Sequence, residues 1–287
     1  MSSSSSQAPS RVWLVTGAGR GLGRAFVEAA LGAGDRVVAT LRQPPALDDL
    51  AQDHPATLRA LALDVRDRAA VFATVERAAA LFGRLDVVVN NAGYGLVGTV
   101  EEVTELDARE QMETNFFGAL WVTQAVLPFF RAQRSGHVVQ VSSVGGVGTM
   151  PAFGLYNASK WALEGFSEAL AAEVAELGIR VTIAELGGFA TDWAWSSMRF
   201  AEGLAAYDGL RERTFGTPRL PWDMSQKASD ESADPAEAAR ALVAHVASGA
   251  AAPLRLLVGA DAPGHVAAAL AARRDDYRKN AAFVWPA

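Results

Sequence analysis

A tyrosine and a lysine four positions apart, Tyr156 and Lys160, form the residue pair best suited to acid–base chemistry in this sequence. Apolar residues around them keep helical spacing, so both side chains are predicted to share one helix face. A phenol ordinarily has a pKa of about 10, too high for efficient proton exchange at neutral pH. An ammonium about 4 Å away favours phenolate by roughly 4 kcal/mol at an effective dielectric of about 20. The pair therefore predicts a tyrosine that exchanges protons near neutral pH.

A glycine-rich loop near the N-terminus is suited to binding a nucleotide phosphate. It reads T-G-A-G-R-G-L-G over residues 16–23, between a predicted strand and a predicted helix. Glycines let the backbone approach a pyrophosphate closely, and the helix N-terminus offers unpaired N–H groups to the anion. The candidate binding residues in the loop are Gly17, Gly19, Arg20, Gly21, Leu22 and Gly23.

The end of the second predicted strand bears on which dinucleotide binds. An acidic residue there would hydrogen-bond the ribose 2′-hydroxyl and repel a 2′-phosphate. The sequence reads V-V-A-T-L-R over 37–42, and no acid follows before Asp48. The Arg42 guanidinium is a planar fork suited to a phosphate dianion, and Arg20 is placed to approach the same group. We therefore expect NADP(H), although two arginines paired with surface carboxylates would give the same pattern.

The elements that position these residues follow a regular alternation. Short β-branched runs alternate with longer helical stretches, which is typical of βαβ units around a parallel sheet. We predict an α/β, doubly wound (Rossmann), mostly parallel seven-stranded sheet with helices on both faces. The predicted strands are 12–16, 36–40, 57–63, 86–90, 137–142, 180–184 and 254–258, and the predicted helices lie near 22–33, 69–82, 107–134, 156–176 and 235–247.

Three segments fall outside this alternation. Residues 1–10 are Ser-rich and polar, so we expect a disordered leader before a single domain over 11–287. Residues 189–230 show no clean strand and mix aromatic side chains with glycine, proline and charges, which predicts a lid over a substrate. The tail after Val258 is Ala-rich and ends in an apolar patch, expected to pack on this chain or on a neighbouring subunit.

Composition excludes several classes of function. The 287 residues carry a formal net charge of −6, which argues against nucleic acid as a partner. Cysteine is absent and the four histidines are scattered, so no metal site is predicted. No apolar run approaches the ~20 residues that a membrane-spanning helix needs. We expect a soluble, cytoplasmic protein with a small-molecule partner, no nucleic acid and no membrane.

Several motifs together resemble the short-chain dehydrogenase/reductase family. The glycine loop has the T-G-x-x-x-G-x-G spacing of that family, and N-N-A-G follows the fourth predicted strand at 90–93. Ser143 lies thirteen residues before Tyr156, as in the family's Ser…Tyr-x-x-x-Lys, with Ser142 as the neighbouring candidate. The resemblance covers roughly residues 11–260.

The resemblance implies a catalytic tetrad of Asn115, Ser143, Tyr156 and Lys160. In this interpretation Tyr156 protonates the substrate oxygen, Ser143 holds that oxygen, and Asn115 anchors a water chain to Lys160. Family members often assemble through the helices that carry Asn115 and Tyr156, so we expect a homodimer or homotetramer.

The resemblance also implies contacts to the cofactor. Asp64 and Val65 follow the third predicted strand, where the family's aspartate contacts the adenine. The remaining implied contacts are Asn91, Ala92, Gly93, Tyr156, Lys160, Gly187 and Thr191. The family's P-G-x-x-x-T appears here as L-G-G-F-A-T over 186–191, so Leu186 replaces a proline that would have fixed one φ angle.

The implied function is NADP(H)-dependent hydride transfer between a ketone or aldehyde and an alcohol. Aromatic and methionine side chains in the predicted lid suit a bulky apolar carbonyl, although they would equally serve to anchor the lid. The candidate substrate residues are Tyr94, Ser143, Met150, Phe153, Tyr156, Phe189, Trp193 and Trp195. The alternatives are an alcohol dehydrogenase, an epimerase acting through a transient ketone, and a non-catalytic nucleotide-binding scaffold.

Overall fold

The structure is a computed structural model that describes residues 10–189, 198–221, 234–249 and 252–284. Its strands are β1 (Val12–Thr16), β2 (Arg36–Leu41), β3 (Leu58–Ala62), β4 (Val87–Asn90), β5 (Gly95–Val97), β6 (Gly136–Val141), β7 (Ile179–Leu186), β8 (Met198–Phe200) and β9 (Arg255–Val258). Its α-helices are α1 (Gly21–Gly32), α2 (Asp48–Asp53), α3 (Arg68–Phe82), α4 (Glu105–Met112), α5 (Gly118–Gln133), α6 (Gly154–Val174), α7 (Asp208–Phe215), α8 (Pro235–Ala247) and α9 (Ala262–Tyr277).

Seven of the strands form a parallel sheet in the order β3-β2-β1-β4-β6-β7-β9. This sheet confirms the predicted fold class. The chain moves outward from β1 through β2 to β3 and then returns to place β4 on the other side of β1. Such a reversal opens a crevice at the carboxyl ends of the strands, where ligands bind in open α/β sheets. The loops after β1 and β4 therefore flank the crevice.

Helices cover both faces of the sheet because the strand residues are apolar on both sides. In β1, Trp13 and Val15 join the core cluster that also contains Phe26 of α1 and Leu242 of α8. The alternate residues of β1 join a second cluster with residues of α3, α5 and α6. All five residues of β1 are buried. Full burial of each large apolar side chain contributes about 1.5–3 kcal/mol.

The structure corrects the sequence prediction in two segments and adds a helix in a third. The helix predicted over 107–134 is two helices, α4 and α5, joined by a π-helical turn at Glu113–Phe117. The stretch predicted to lack a strand contains β8, which pairs in parallel with β5, and the short helix α7. The tail after β9 forms α9. A strand of three residues has no readable period, and β8 finds its partner about a hundred positions earlier.

The chain marks several helix starts with capping side chains. Asp67 accepts a hydrogen bond from the Ala70 N–H at the start of α3, and Thr104 begins α4 with a capping box completed by Asp107. None of the helices in the described residues combines the length and apolar character that crossing a bilayer requires.

Candidate active site

A cleft of about 960 Å³ opens at the carboxyl ends of the central strands. Loops after β1, β2, β3, β4, β6 and β7 line it, together with the first turns of α6. The predicted site residues that line the cleft are Gly17, Gly19, Arg20, Gly21, Leu22, Gly23, Arg42, Asp64, Val65, Asn91, Ala92, Gly93, Tyr94, Ser143, Tyr156, Lys160, Gly187 and Phe189. Residues scattered over more than 170 positions of sequence thus meet in one cavity.

Some predicted site residues lie elsewhere. Met150 is 44% exposed and does not line the cleft. Phe153 is buried behind the cleft wall, with its ring 6.1 Å from the ring of Tyr156 in an edge-on contact. Asn115 also stands behind the wall. Thr191, Trp193, Trp195 and residues 1–9 of the predicted leader lie outside the described residues.

The glycine loop is held by the loop that follows β4. Asn91 donates hydrogen bonds from Nδ2 to the carbonyl oxygens of Thr16 (2.9 Å) and Gly17 (3.2 Å). The Thr16 hydroxyl accepts from the backbone N–H groups of Asn91 (3.0 Å) and Ala92 (3.1 Å). Gly17 has a φ of +66°, and a Cβ there would lie 2.8 Å from Ala92 Cα. A Cβ on Gly23 would collide with the Gly17 carbonyl oxygen. Only glycines allow this cradle over the N-terminus of α1.

Positive charge lies at the rim of the cleft beside the end of β2. Arg42 is exposed next to Leu41, and Arg20, the N-cap of α1, is also exposed and lines the same cleft. Asp64 accepts hydrogen bonds from Arg66, including one of 2.7 Å from Nη2, and this contact holds the pKa of Asp64 below its ordinary value. The negative charge of Asp64 is therefore balanced by Arg66.

Tyr156, Ser143 and Lys160 meet at the inner wall of the cleft. The Tyr156 and Ser143 hydroxyls share a hydrogen bond. Lys160 donates from Nζ to the carbonyl oxygen of Val141 at 2.7 Å, and its Nζ lies 5.9 Å from the centre of the Tyr156 ring. Of the two serine candidates, Ser143 contacts the tyrosine, whereas the hydroxyl of Ser142 lies toward Glu164.

Burial governs the protonation of this group. It raises the pKa of Tyr156 to about 12, and the hydrogen bond with Ser143 opposes that shift. It lowers the pKa of Lys160 to about 8, and the charge of Glu164 opposes that shift. The sequence predicted a lowered pKa for Tyr156, because the lysine charge could be read from the spacing and the burial of the phenol could not. At neutral pH the pair is a phenol beside an ammonium.

Asn115 acts on the backbone next to the cleft. It lies in the π-helical turn between α4 and α5, a feature that is frequent at functional sites. Its Nδ2 donates to Tyr94 O (3.0 Å) and Ser159 Oγ (3.1 Å), and its Oδ1 accepts from Tyr94 N (3.1 Å). Asn115 thus ties the loop after β4 to the residue that precedes Lys160.

The outer wall of the cleft contains two residues that the sequence did not indicate, Arg199 of β8 and Glu110 of α4. They lie beside Met198, one of the methionines of the predicted lid. Arg199 pairs with Glu110 and lies 4.8 Å over the ring of Tyr94. These residues carry no motif, and only the pairing of β8 with β5 brings them to the cleft.

A buried ion pair anchors the described part of the predicted lid. The guanidinium of Arg211 in α7 pairs with Glu102, and both side chains are almost fully buried. Glu102 also accepts from the Leu204 N–H at 2.8 Å, and Arg211 donates to the Pro218 carbonyl at 2.6 Å. Residues 198–221 are therefore fastened to the turn that precedes α4.

Known proteins resemble this chain in both sequence and fold. The sequence model of short chain dehydrogenases matches residues 11–201. The oxidoreductase BOA17 of Botryotinia fuckeliana is 40% identical over 273 residues, 94% of this chain and 97% of that protein. A short-chain dehydrogenase from Streptomyces avermitilis has a crystal structure that matches with a TM-score of 0.84 at 39% identity, over 94% of this chain and 97% of that one. A short chain dehydrogenase from Burkholderia cenocepacia, crystallised with NADP, matches with a TM-score of 0.71 at 25% identity, over 96% and 98%.

Proposed function

Because the chain belongs to the short-chain dehydrogenase family, we propose that it is an NADP(H)-dependent oxidoreductase that reduces a bulky apolar ketone or aldehyde to an alcohol. One observation supports this reaction most directly. The buried Tyr156, in contact with Ser143 and next to Lys160, faces the same cleft as the glycine loop. An acid–base pair and a phosphate cradle in one cavity suit hydride transfer from a nucleotide to a carbonyl.

The residues of the cleft fit a dinucleotide. Glycines at 17 and 23 let the loop pack against the segment after β4 and over the first turn of α1, where a Cβ would collide with backbone, and this packing leaves the loop able to present N–H groups to a diphosphate. The first turn of α1 contains no acidic residue, so its N-terminus attracts an anion. When bound, the nicotinamide supplies the hydride, while the protein positions the reactants.

NADP(H) is favoured over NAD(H) by the charges at the rim. Arg20 and Arg42 flank the place where a 2′-phosphate would lie, and residues 37–43 contain no carboxylate to repel it. Charge-assisted hydrogen bonds from a guanidinium to a phosphate are short and strong. Structures that resemble this chain were crystallised with NADP, from Burkholderia cenocepacia, and with NAD, from Burkholderia phymatum, so the preference is argued from the charges at the rim.

The protonation state supplies the proton that carbonyl reduction needs. Tyr156 keeps its proton at neutral pH, with a pKa of about 12, and so has a proton to donate to the substrate oxygen. Ser143 would hold that oxygen where negative charge develops. Lys160 is mostly charged at neutral pH and stabilises the phenolate that remains after the proton is given away. Alcohol oxidation would use the same groups in reverse, with Tyr156 as the base.

The substrate end of the cleft supports an apolar ligand. Leu186, Phe189 and Met198 line it near Tyr156. Ligand pockets are generally apolar, with a few polar groups that fix orientation. Ser143 and Tyr156 are such groups here.

The cofactor proposal is tested by titrating the protein with NADPH and NADH and following nicotinamide fluorescence. We expect NADPH to bind at least about 10-fold more tightly, because a guanidinium–phosphate contact contributes about 1.5–3 kcal/mol. Arg42→Asp should remove this preference. Arg77→Asp is the matched control, since this substitution changes the charge by the same amount at an exposed position of α3, away from the cleft. Equal affinities in the unchanged protein would contradict the assignment of NADP(H).

Turnover is tested with NADPH and a panel of bulky aromatic and aliphatic ketones. Tyr156→Phe should abolish reduction and leave NADPH binding within about twofold, because the phenol proton is lost and the ring remains. Nucleotide binding without any turnover across the panel would favour the non-catalytic scaffold instead.

We also propose that the protein is a homodimer or homotetramer. Phe117 and Trp121 stack with ring centres 5.7 Å apart, and both are only partly buried on the α5 side of the molecule. Sedimentation velocity that detects only a 30.2 kDa species at micromolar concentration would contradict this assembly.

A further inference from the structure

The helix face that carries Tyr156 and Lys160 continues into two carboxylates at the same spacing. Glu164 and Glu168 follow Lys160 at intervals of four residues in α6. Residues four apart lie on one side of a helix. Tyr156, Lys160 and Glu164 are 8%, 7% and 6% exposed, whereas Glu168 is exposed to solvent. A stripe of ionisable groups therefore leads from the cleft to the surface.

Glu164 faces charged groups from three elements, besides the Ser142 hydroxyl. Lys160 and Glu168 belong to its own helix, Glu185 comes from β7, and Arg255 comes from β9. The Arg255 guanidinium lies 3.5 Å from a Glu164 oxygen and 2.8 Å from a Glu185 oxygen, and it also pairs with Glu168.

The loop that follows the candidate catalytic serine closes over Glu164. The Ser142 hydroxyl is directed toward its carboxylate. A Cβ on Gly146 would lie 2.7 Å from Ser142 Oγ and 3.1 Å from Glu164 Oε1, so a glycine is needed for the loop to approach so closely. The loop and the carboxylate are thus packed as one unit beside Ser143.

One guanidinium cannot neutralise three carboxylates. Burial, with a contribution from Glu185, raises the pKa of Glu164 to about 7, and Ser142 and Arg255 oppose that shift. Burial also raises the pKa of Glu185. Glu164 therefore gains its negative charge near neutral pH, just below the range in which Lys160, with a pKa of about 8, loses its positive charge.

We propose that Glu164 keeps Lys160 charged above neutral pH and so sets the alkaline limit of carbonyl reduction by this protein. The inference rests on the proposed function, because Lys160 matters for turnover only if Tyr156 is the proton donor. Glu164 is a positioning residue, since it acts through Lys160 and does not line the cleft. Below about pH 6 Glu164 is protonated and has no charge with which to support the lysine.

The pH profile of kcat/KM for ketone reduction separates this role from a structural one. In Glu164→Gln the alkaline limb should lie about one pH unit lower, because a unit charge one helical turn away is lost. The profiles should coincide below about pH 6, where the wild-type side chain is also neutral. Glu168→Gln is the matched control, because Glu168 lies on the same helix face and pairs with Arg255 but is exposed to solvent. In this variant the alkaline limb of the pH profile should move by less than about 0.3 pH units.

A pH profile of kcat/KM identical to that of the wild type would overturn the inference. A uniform loss of kcat/KM at every pH, with the alkaline limb unmoved, would also overturn it and would show that Glu164 only supports the fold. Both outcomes leave the proposed reductase activity intact.

A second measurement does not depend on turnover. A double-mutant cycle of Glu164→Gln and Lys160→Met, followed by urea unfolding, gives the coupling between the two side chains. Coupling equivalent to at least about a fivefold change in the unfolding constant is expected near pH 8 and should vanish near pH 5.5. Absence of coupling at both pH values would overturn the inference even if ketone reduction is found.

Discussion

Two glycine-containing loops line the same cleft, and the chain holds them in different ways. The loop after β1 is fixed by backbone contacts, because Gly17 adopts a positive φ and packs against Ala92. The loop after β7 is held by a backbone hydrogen bond from the Gly187 N–H to the Val258 carbonyl at 2.9 Å and by one carboxylate. Gly188 donates its N–H to Asp261 Oδ2 at 3.1 Å, and the same carboxylate occupies the space that a Cβ on Gly187 would need.

The two loops differ in whether the residue that supports them belongs to a motif that can be recognised in the sequence. The first loop is supported by the N-N-A-G segment, which can be recognised in the sequence. The second is supported from 73 positions further along the chain, by the N-cap residue of α9. Asp261 makes no side-chain cap to its own helix and is directed at the cleft loop instead. In this chain the backbone at Gly187 is therefore restrained by a residue that is remote in sequence, Asp261. In the family pattern a proline at position 186 would restrain it instead.

Gly17→Ala should have the largest effect. The new Cβ would lie 2.8 Å from Ala92 Cα on a backbone with φ of +66°, so the loop must move or bear strain of about 1–3 kcal/mol. We expect NADPH affinity to fall by about 10- to 100-fold in a fluorescence titration. Circular dichroism should show a folded protein. Affinity within about threefold of wild type would mean that the first loop is not constrained by its backbone.

Asp261→Ala should have an intermediate effect. It removes the acceptor of the Gly188 N–H, but the Asp261 side chain is 41% exposed and water can replace part of the contact. We expect KM for NADPH to rise about 3- to 10-fold, and Asp261→Asn to change it less because an acceptor oxygen remains. His265→Ala, which removes the neighbour 3.3 Å from Asp261 without touching the loop, is the control. An unchanged KM in Asp261→Ala would show that the second loop needs no support from α9.

Gly188→Ala should have the smallest effect. Its Cβ would meet only Asp261 Oδ2, at 3.8 Å, an ordinary van der Waals contact. KM for NADPH should change by less than about twofold. A loss as large as that of Gly17→Ala would remove the distinction between the two loops.

The long, periodic elements and the local motifs were predictable from the sequence. Each of the seven predicted strands has a counterpart in the sheet, and its ends differ by at most two residues, because an apolar run bounded by turn residues is a local signal. The glycine loop and Tyr156–Lys160 were recognisable for the same reason. β8 and the cleft residue Arg199 were not, since a three-residue strand gains its stability from a distant partner.

The sequence alone determined that a phenol and an amine share a helix face, and that glycines open the first loop, because both follow from local backbone geometry. Only the tertiary structure decided the protonation and the hydrogen bonding of the phenol and the amine. The Val141 carbonyl that holds Lys160, the burial that keeps Tyr156 protonated, and the Glu164 cluster all depend on the packing of α6 against β6, β7 and β9. The electrostatic environment of a side chain is the sum over neighbours in space, and most of these neighbours are remote in sequence.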